Sequence, residues 1–174
     1  SRSISLFFRG KGAPCANSAE LLRKTSSRLR DIVPGSVIED DHAPTVAQYE
    51  REITSSRFCL VMRCDDPQTS RFVDALAAGC IPIIVDDGFL LTVAPFTNHL
   101  NFQTFAITIP ESVWTNDTLG AAHFIYNWPE SRLQRMHGEL LKVRRALLWH
   151  HPETETGLWA LREAAEECPA HRDG

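Results

Sequence analysis

Three runs constrain the fold more than anything else in this chain: "SISLFF" (Ser3 to Phe8), "RFCLVM" (Arg57 to Met62) and "IPIIV" (Ile81 to Val85). Each is apolar at nearly every position rather than at every second one. A strand with one wet face alternates apolar and polar residues, whereas a strand apolar throughout is covered on both faces, as in a parallel sheet between two layers of helix. The stretches between these runs carry helical spacing. Ala19 to Arg30 sets Leu21, Leu22 and Leu29 on one side, and Thr45 to Ser56 places Val46, Tyr49 and Ile53 three and four apart. "PGSVIED" reads as a turn and a short strand, and "FAITI" (Phe105 to Ile109) as a fifth strand. From Glu130 to Trp149 the apolar positions Leu133, Met136, Leu140, Val143 and Leu147 predict a long helix, with a last helix at Gly157 to Glu167. The alternation predicts an α/β, Rossmann-like domain, a parallel sheet with helices on both faces, over residues 1–151, followed by a helical tail at 152–174.

Composition narrows the classes of function. A chain of 174 residues suffices for one domain with a real core. A formal net charge of -4 lacks the basic footprint of a nucleic-acid binder. No run approaches the roughly 20 apolar residues of a membrane helix. Ser1 opens at once onto the first apolar run, so the chain is expected to be a piece of a longer protein. The five cysteines (Cys15, Cys59, Cys64, Cys80, Cys168) have no metal-ligand spacing. Cys59 and Cys80 lie beside apolar runs and read as small buried hydrophobes. His150, His151, Cys168 and His171 are too irregularly spaced for a zinc site, and no metal is expected. Trp128, Trp149 and Trp159 read as core rather than sugar platforms. "NDT" at Asn116 fits the glycosylation acceptor pattern.

In an open parallel sheet, ligands bind beyond the carboxyl ends of the strands. Two loops there carry useful chemistry: "RGKG", leaving the first strand, and "RCDDPQTSR", leaving the third. The second ends in Thr69, Ser70 and Arg71 where a helix begins. A helix start presents unpaired N–H groups and partial positive charge, to which hydroxyls and a guanidinium would add phosphate donors. The plainer alternative makes Thr69 or Ser70 an N-cap and Arg71 a solvated helix residue. Asp74, one turn further on, is placed to accept two vicinal ribose hydroxyls, or else simply favours the helix dipole. In "AAGCIP", Gly79 ends the helix and Pro82 begins the next strand. Asp86 and Asp87 close that strand at the same edge, as turn acids before Gly88 or as sugar contacts. The chain contains neither G-x-S-x-G nor the P-loop pattern, which argues against other α/β enzymes.

"SRFCLVMRCDDPQTSRFVDALAAGCIPIIVDD" closely resembles the signature of exostosin-like glycosyltransferases, S-K-F-C-L-x-P-x-G-D-T-P-S-S followed by R-L-F-D-A-I and G-C-I-P-V-I. The likeness continues through "APFTNHLNFQTFAITIPE" and "SRLQRMHGELLKVRRALLW", and back to "YEREITSS" and "LFFRG". The resemblance implies the C-terminal, donor-binding half of a two-Rossmann (GT-B type) enzyme. Such enzymes transfer a sugar, commonly from a UDP-sugar, to a polysaccharide or glycan acceptor with inversion, in the Golgi lumen, as type II membrane proteins. It implies no metal or other cofactor, and places the catalytic base and acceptor site in an N-terminal half that also carries the membrane anchor. Carried over, Thr69 and Arg71 contact the phosphates, Asp74 holds the uridine ribose, and Arg9, Gly10 and Lys11 form the other lip. Cys64 and Met62 depart from the family's glycine and proline, and Thr69 from its common serine. The alternative function is a non-catalytic relative that binds nucleotide or a partner without turnover.

Overall fold

The structure is a computed structural model that describes residues 2–10, 28–39, 45–62 and 70–167. Five strands run in chain order as β1 (Ile4–Arg9), β2 (Val37–Glu39), β3 (Ser56–Met62), β4 (Ile81–Val85) and β5 (Ile107–Ile109). They form one sheet in the order β2-β1-β3-β4-β5, with every neighbouring pair parallel. The apolar runs therefore occupy the three central positions, and the two short strands take the edges. This is the doubly wound 2-1-3-4-5 arrangement, whose direction of winding reverses between β1 and β3.

Successive residues of each central strand enter opposite layers, as the two-residue period of a strand requires. On one face Leu6, Phe8, Phe58, Leu60, Met62, Ile83 and Val85 pack with Leu29 and Val33, Trp114, Ile125, Leu133 and Met136. On the other, Phe7 and Cys59 meet Ile53 and Ala75, and Val61 and Ile84 meet Phe72 and Leu76. The helices are α1 (helical at 28–32), α2 (Val46–Thr54), α3 (Ser70–Ala78), α4 (Phe89–Thr92), α5 (Glu111–Asn116), α6 (Thr118–Tyr126), α7 (Glu130–Leu147) and α8 (Thr156–Glu167). The long α7 serves both layers, giving Leu133 and Met136 to the first and Leu140 to the second.

Several details differ from the sequence expectation. The fifth strand starts at Ile107, because Phe102–Thr104 tighten into a 3-10 turn and Phe105 joins an aromatic cluster with Phe72, Phe89 and Phe102. Helices α5 and α6 lack a clean apolar stripe in sequence: Val113 and Phe124 are exposed while Trp114 and Ile125 are buried. Most of the helix expected at Ala19 to Arg30 lies outside the described residues.

Cys59 and Cys80 are buried, but they are not free thiols. They form a disulfide with a Cα–Cα separation of 5.8 Å. Cys59 sits in β3 opposite Pro82 of β4, and Cys80 immediately precedes β4, so the sheet register brings the two side chains together. Trp149, expected in the core, is exposed. Trp128 packs partly buried against the core, and Trp159 of α8 rests on Phe96 and His99 at ring separations of 6.0 and 5.9 Å.

Candidate functional site

The winding reversal places the carboxyl ends of β1 and β3 side by side, and the start of α3 lies beyond them. β1 ends in Arg9. Its side chain turns toward α2 and pairs bidentately with Glu52, Nε to Oε2 at 2.6 Å and Nη2 to Oε1 at 3.0 Å. Gln48, one turn earlier on α2, donates to the same carboxylate at 2.9 Å. Hydrogen bonds from Arg9 lower the Glu52 pKa, against the opposing effect of burial. What Arg9 offers to the site is its backbone carbonyl, which accepts a bond from Arg71 Nε at 3.2 Å.

Arg71 belongs to the first turn of α3, and its guanidinium also lies 5.0 Å from the centre of the Phe8 ring. Gly10 makes that seat possible. A Cβ at this position would overlap Arg71 Nη2 and stand 3.1 Å from Cζ. The Gly10 N–H donates to Glu39 O of the neighbouring strand at 3.2 Å, which fixes the chain as it leaves the sheet. Burial lowers the Arg71 pKa from its ordinary value, partly offset by Tyr49 and Asp74. An Arg retains its charge under such a shift.

Asp74 is half-buried and reaches across to α2, where its Oδ2 accepts a hydrogen bond from the Tyr49 hydroxyl at 2.9 Å. Burial raises the Tyr49 pKa, with the Asp74 bond adding to the effect, so the phenol stays protonated as the donor. Tyr49 is itself held edge-on by Phe7, ring centres 5.5 Å apart. The structure therefore brings Arg9, Gly10, Arg71 and Asp74 to one edge, with Ser70 exposed at the head of α3. Lys11 and Thr69 lie outside the described residues.

Asp86 and Asp87 stand at the end of β4 and make local bonds. Asp86 Oδ1 accepts from the N–H groups of Gly88 and Phe89 at 2.7 and 3.1 Å, starting α4. Asp87 Oδ1 accepts from Glu111 N at 3.0 Å and ties the strand end to α5.

A comparison with known families matches residues 1–121 to the exostosin GT47 domain. The chain belongs to the exostosin GT47 family. The GT-B type of glycosyltransferase to which this family belongs is built on Rossmann-like units, and the parallel sheet described above is one such unit. Among curated proteins, this GT47 domain is 25% identical over 152 residues to a probable glycosyltransferase of Arabidopsis thaliana, covering 87% of the chain and 30% of that protein. It is 30% identical over 121 residues to a probable glucuronoxylan glucuronosyltransferase of the same plant, covering 68% and 25%. Over 101 residues it is 26% identical to an exostosin-1 homolog of Caenorhabditis elegans, covering 58% and 25%. The chain thus spans between a quarter and a third of the length of these relatives.

Elsewhere in the GT47 domain, Asn116 is exposed at the end of α5, and the hydroxyl of its partner Thr118 is buried and donates to Trp114 O. Among the described residues no group of three His, Cys, Asp or Glu side chains is arranged to hold a metal ion, and no helix is long and apolar enough to cross a membrane. Sequence reasoning did not assign roles at the site to Tyr49 and Glu52. Both lie on the helix predicted from its apolar spacing, in which Tyr49 is one of the apolar positions and Glu52 lies between them. Their partners, Asp74 and Arg9, are 25 and 43 positions away.

Proposed function

We propose that this chain is the donor-binding half of an inverting glycosyltransferase, which takes a sugar from a UDP-sugar to a glycan acceptor. The observation that carries the reading is the seat of Arg71. A guanidinium rests against a glycine at the β1/β3 winding reversal, beside the start of a helix, where the dipole already supplies positive charge. A helix start and a guanidinium side by side favour an anionic ligand. In an inverting transfer, the acceptor oxygen attacks the anomeric carbon as the bond from that carbon to the β-phosphate oxygen breaks. The electron pair leaves on the diphosphate, and the acceptor proton passes to a base in the other half of the enzyme. Arg71 and the N–H groups of α3 would stabilise that leaving charge, without a metal ion. Thr69, Ser70 and Lys11 would add donors, and Asp74 would accept ribose hydroxyls. Asp87 would reach the sugar only through the oxygen left by its bond to Glu111, and Asp86 only by exposing an oxygen that is now buried. The buried Cys59–Cys80 disulfide supports residence in an oxidising lumen, such as the Golgi.

Calorimetry of the chain with UDP, and with ADP as control, tests this reading. Selective UDP binding that weakens by roughly tenfold or more in Arg71→Ala and in Asp74→Ala is the expected result, since each charge-assisted bond is worth about 1.5–3 kcal/mol. A folded chain indifferent to UDP would overturn it. UDP binding without transfer, once the second half is present, would instead mark a relative that has lost turnover.

A further inference from the structure

We infer that α2 is the positioning helix of the donor site, with Tyr49 aiming the Asp74 carboxylate at the ribose and Glu52 holding the strand end that seats Arg71. This rests on the donor reading above and deepens it.

The two residues are three apart on α2 and so project from one face of the helix. That face meets both halves of the site. Glu52 receives Arg9 through two bonds and Gln48 through a third. With its side chain so fixed, Arg9 presents its carbonyl to Arg71 Nε at 3.2 Å. Tyr49, locked by Phe7, donates to Asp74 Oδ2 at 2.9 Å and leaves Oδ1 as the oxygen through which Asp74 would take a ribose hydroxyl. Thr45 caps the helix by accepting from Gln48 N at 3.1 Å, and Ile53 is buried in the core beneath it. The frame carrying both groups is therefore rigid.

Energetics favour a positioning role over simple fastening. The Arg9 and Glu52 side chains are only 9% and 15% exposed. Taking both charges out of water offsets much of their attraction, and an apolar pair would join β1 to α2 at least as well. What the ion pair adds is a fixed direction for a backbone carbonyl. A phenylalanine at position 49 would likewise fill the space beside Phe7, but it would leave Asp74 without its donor.

The test compares UDP, 2′-deoxy-UDP and inorganic pyrophosphate as ligands of the full chain, with melting temperature measured beside each variant. Tyr49→Phe is expected to shrink the preference for UDP over 2′-deoxy-UDP about fivefold, while pyrophosphate binds as before. Glu52→Gln is expected to weaken UDP and pyrophosphate by the same factor, about tenfold, and to leave the ribose preference in place. If Glu52→Gln melts early, Tyr49→Phe carries the test alone, because it deletes one oxygen and keeps the ring packing. Wild-type ligand preferences in Tyr49→Phe, alongside loss of UDP in Arg71→Ala, would overturn the role of α2 and leave the donor site standing. A wild-type chain that ignores UDP and pyrophosphate would overturn both.

Discussion

The two ends of the sheet both use arginine, and they use it in opposite ways. At the amino ends of the strands, Arg2 donates to Thr54 O at 2.9 Å, Ser56 O at 2.6 Å and Ala78 O at 2.9 Å. Thr54 and Ala78 are the last residues of α2 and α3, so the cation meets the negative ends of two helix dipoles. Arg144 adds a bond to Ala77 O at 2.9 Å. The bonds to the helix ends there are complementary to the dipoles, although Arg2 and Arg144 repel one another, and the arrangement serves the fold. At the carboxyl ends, Arg71 sits at the positive end of α3, against the Arg9 carbonyl and the Phe8 ring, in the room that Gly10 leaves. A cation beside a helix start runs against the dipole rather than with it, and that is the feature on which the proposed diphosphate site rests. The difference teaches that the chemistry of an arginine is set less by its own charge than by which end of a helix it meets.

Four variants sharpen or break this contrast. The largest effect belongs to the lower half of the domain. Replacing Cys59 and Cys80 together with alanine removes a link across 21 positions and should lower unfolding free energy by about 3 kcal/mol in denaturant melts, with UDP affinity unchanged. Next, Arg2→Ala should lower stability by about 2 kcal/mol, as three carbonyls lose a charged donor, again without changing ligand affinity. If Arg2→Ala instead abolished UDP binding at unchanged stability, the division between a structural and a ligand-facing end would fail.

Gly10→Ala probes the upper edge. The new methyl meets the far end of the Arg71 side chain and stands 3.0 Å from Cζ of the Phe8 ring, so Arg71 shifts, the ring gives by a few tenths of an ångström and the fold survives. UDP affinity should fall about tenfold while the melting temperature moves little. The smallest effect is one of pH at the lower edge. Burial, and then the charge of Arg2, hold the His137 pKa below its ordinary 6.5, with a smaller push from Arg144 and an opposing one from the Gly79 backbone. The unfolded chain therefore binds a proton more readily than the folded one, so stability is full well above the ordinary 6.5 and declines as pH falls through and below it. Melting curves of His137→Gln should be flatter across that window, and an unchanged slope would show that His137 is not the group responsible.

Much of this molecule was legible from residues alone. "RFCLVM" and "IPIIV" announced strands covered on both faces, and such strands have few homes other than a parallel sheet between helices. Arg71 and Asp74 stood out because a hydroxyl-rich loop runs straight into a helix bearing them. Helix α6 was not legible, because apolar Phe124 faces solvent beside buried Ile125 and the stripe that marks a helix is blurred. Cys59 and Cys80 were read correctly as buried, but their pairing was not legible, since burial follows from neighbouring residues whereas a bond depends on a partner.

By itself, then, the sequence determined the periodicities: which runs are strands, which faces are apolar, and which loops carry charge at the sheet's carboxyl edge. Those properties are local, set by the alternation of side chains along a strand and the turn of a helix. Tertiary structure alone decided the pairings: Arg9 with Glu52, Tyr49 with Asp74, Cys59 with Cys80, and the seat of Arg71 over Gly10. Each joins residues at least 21 positions apart, and each exists only because the order β2-β1-β3-β4-β5 lays β1 beside β3 and β3 beside β4. Helical spacing says which face of α2 is buried; only the packed sheet says that this face looks onto Arg9 and Asp74.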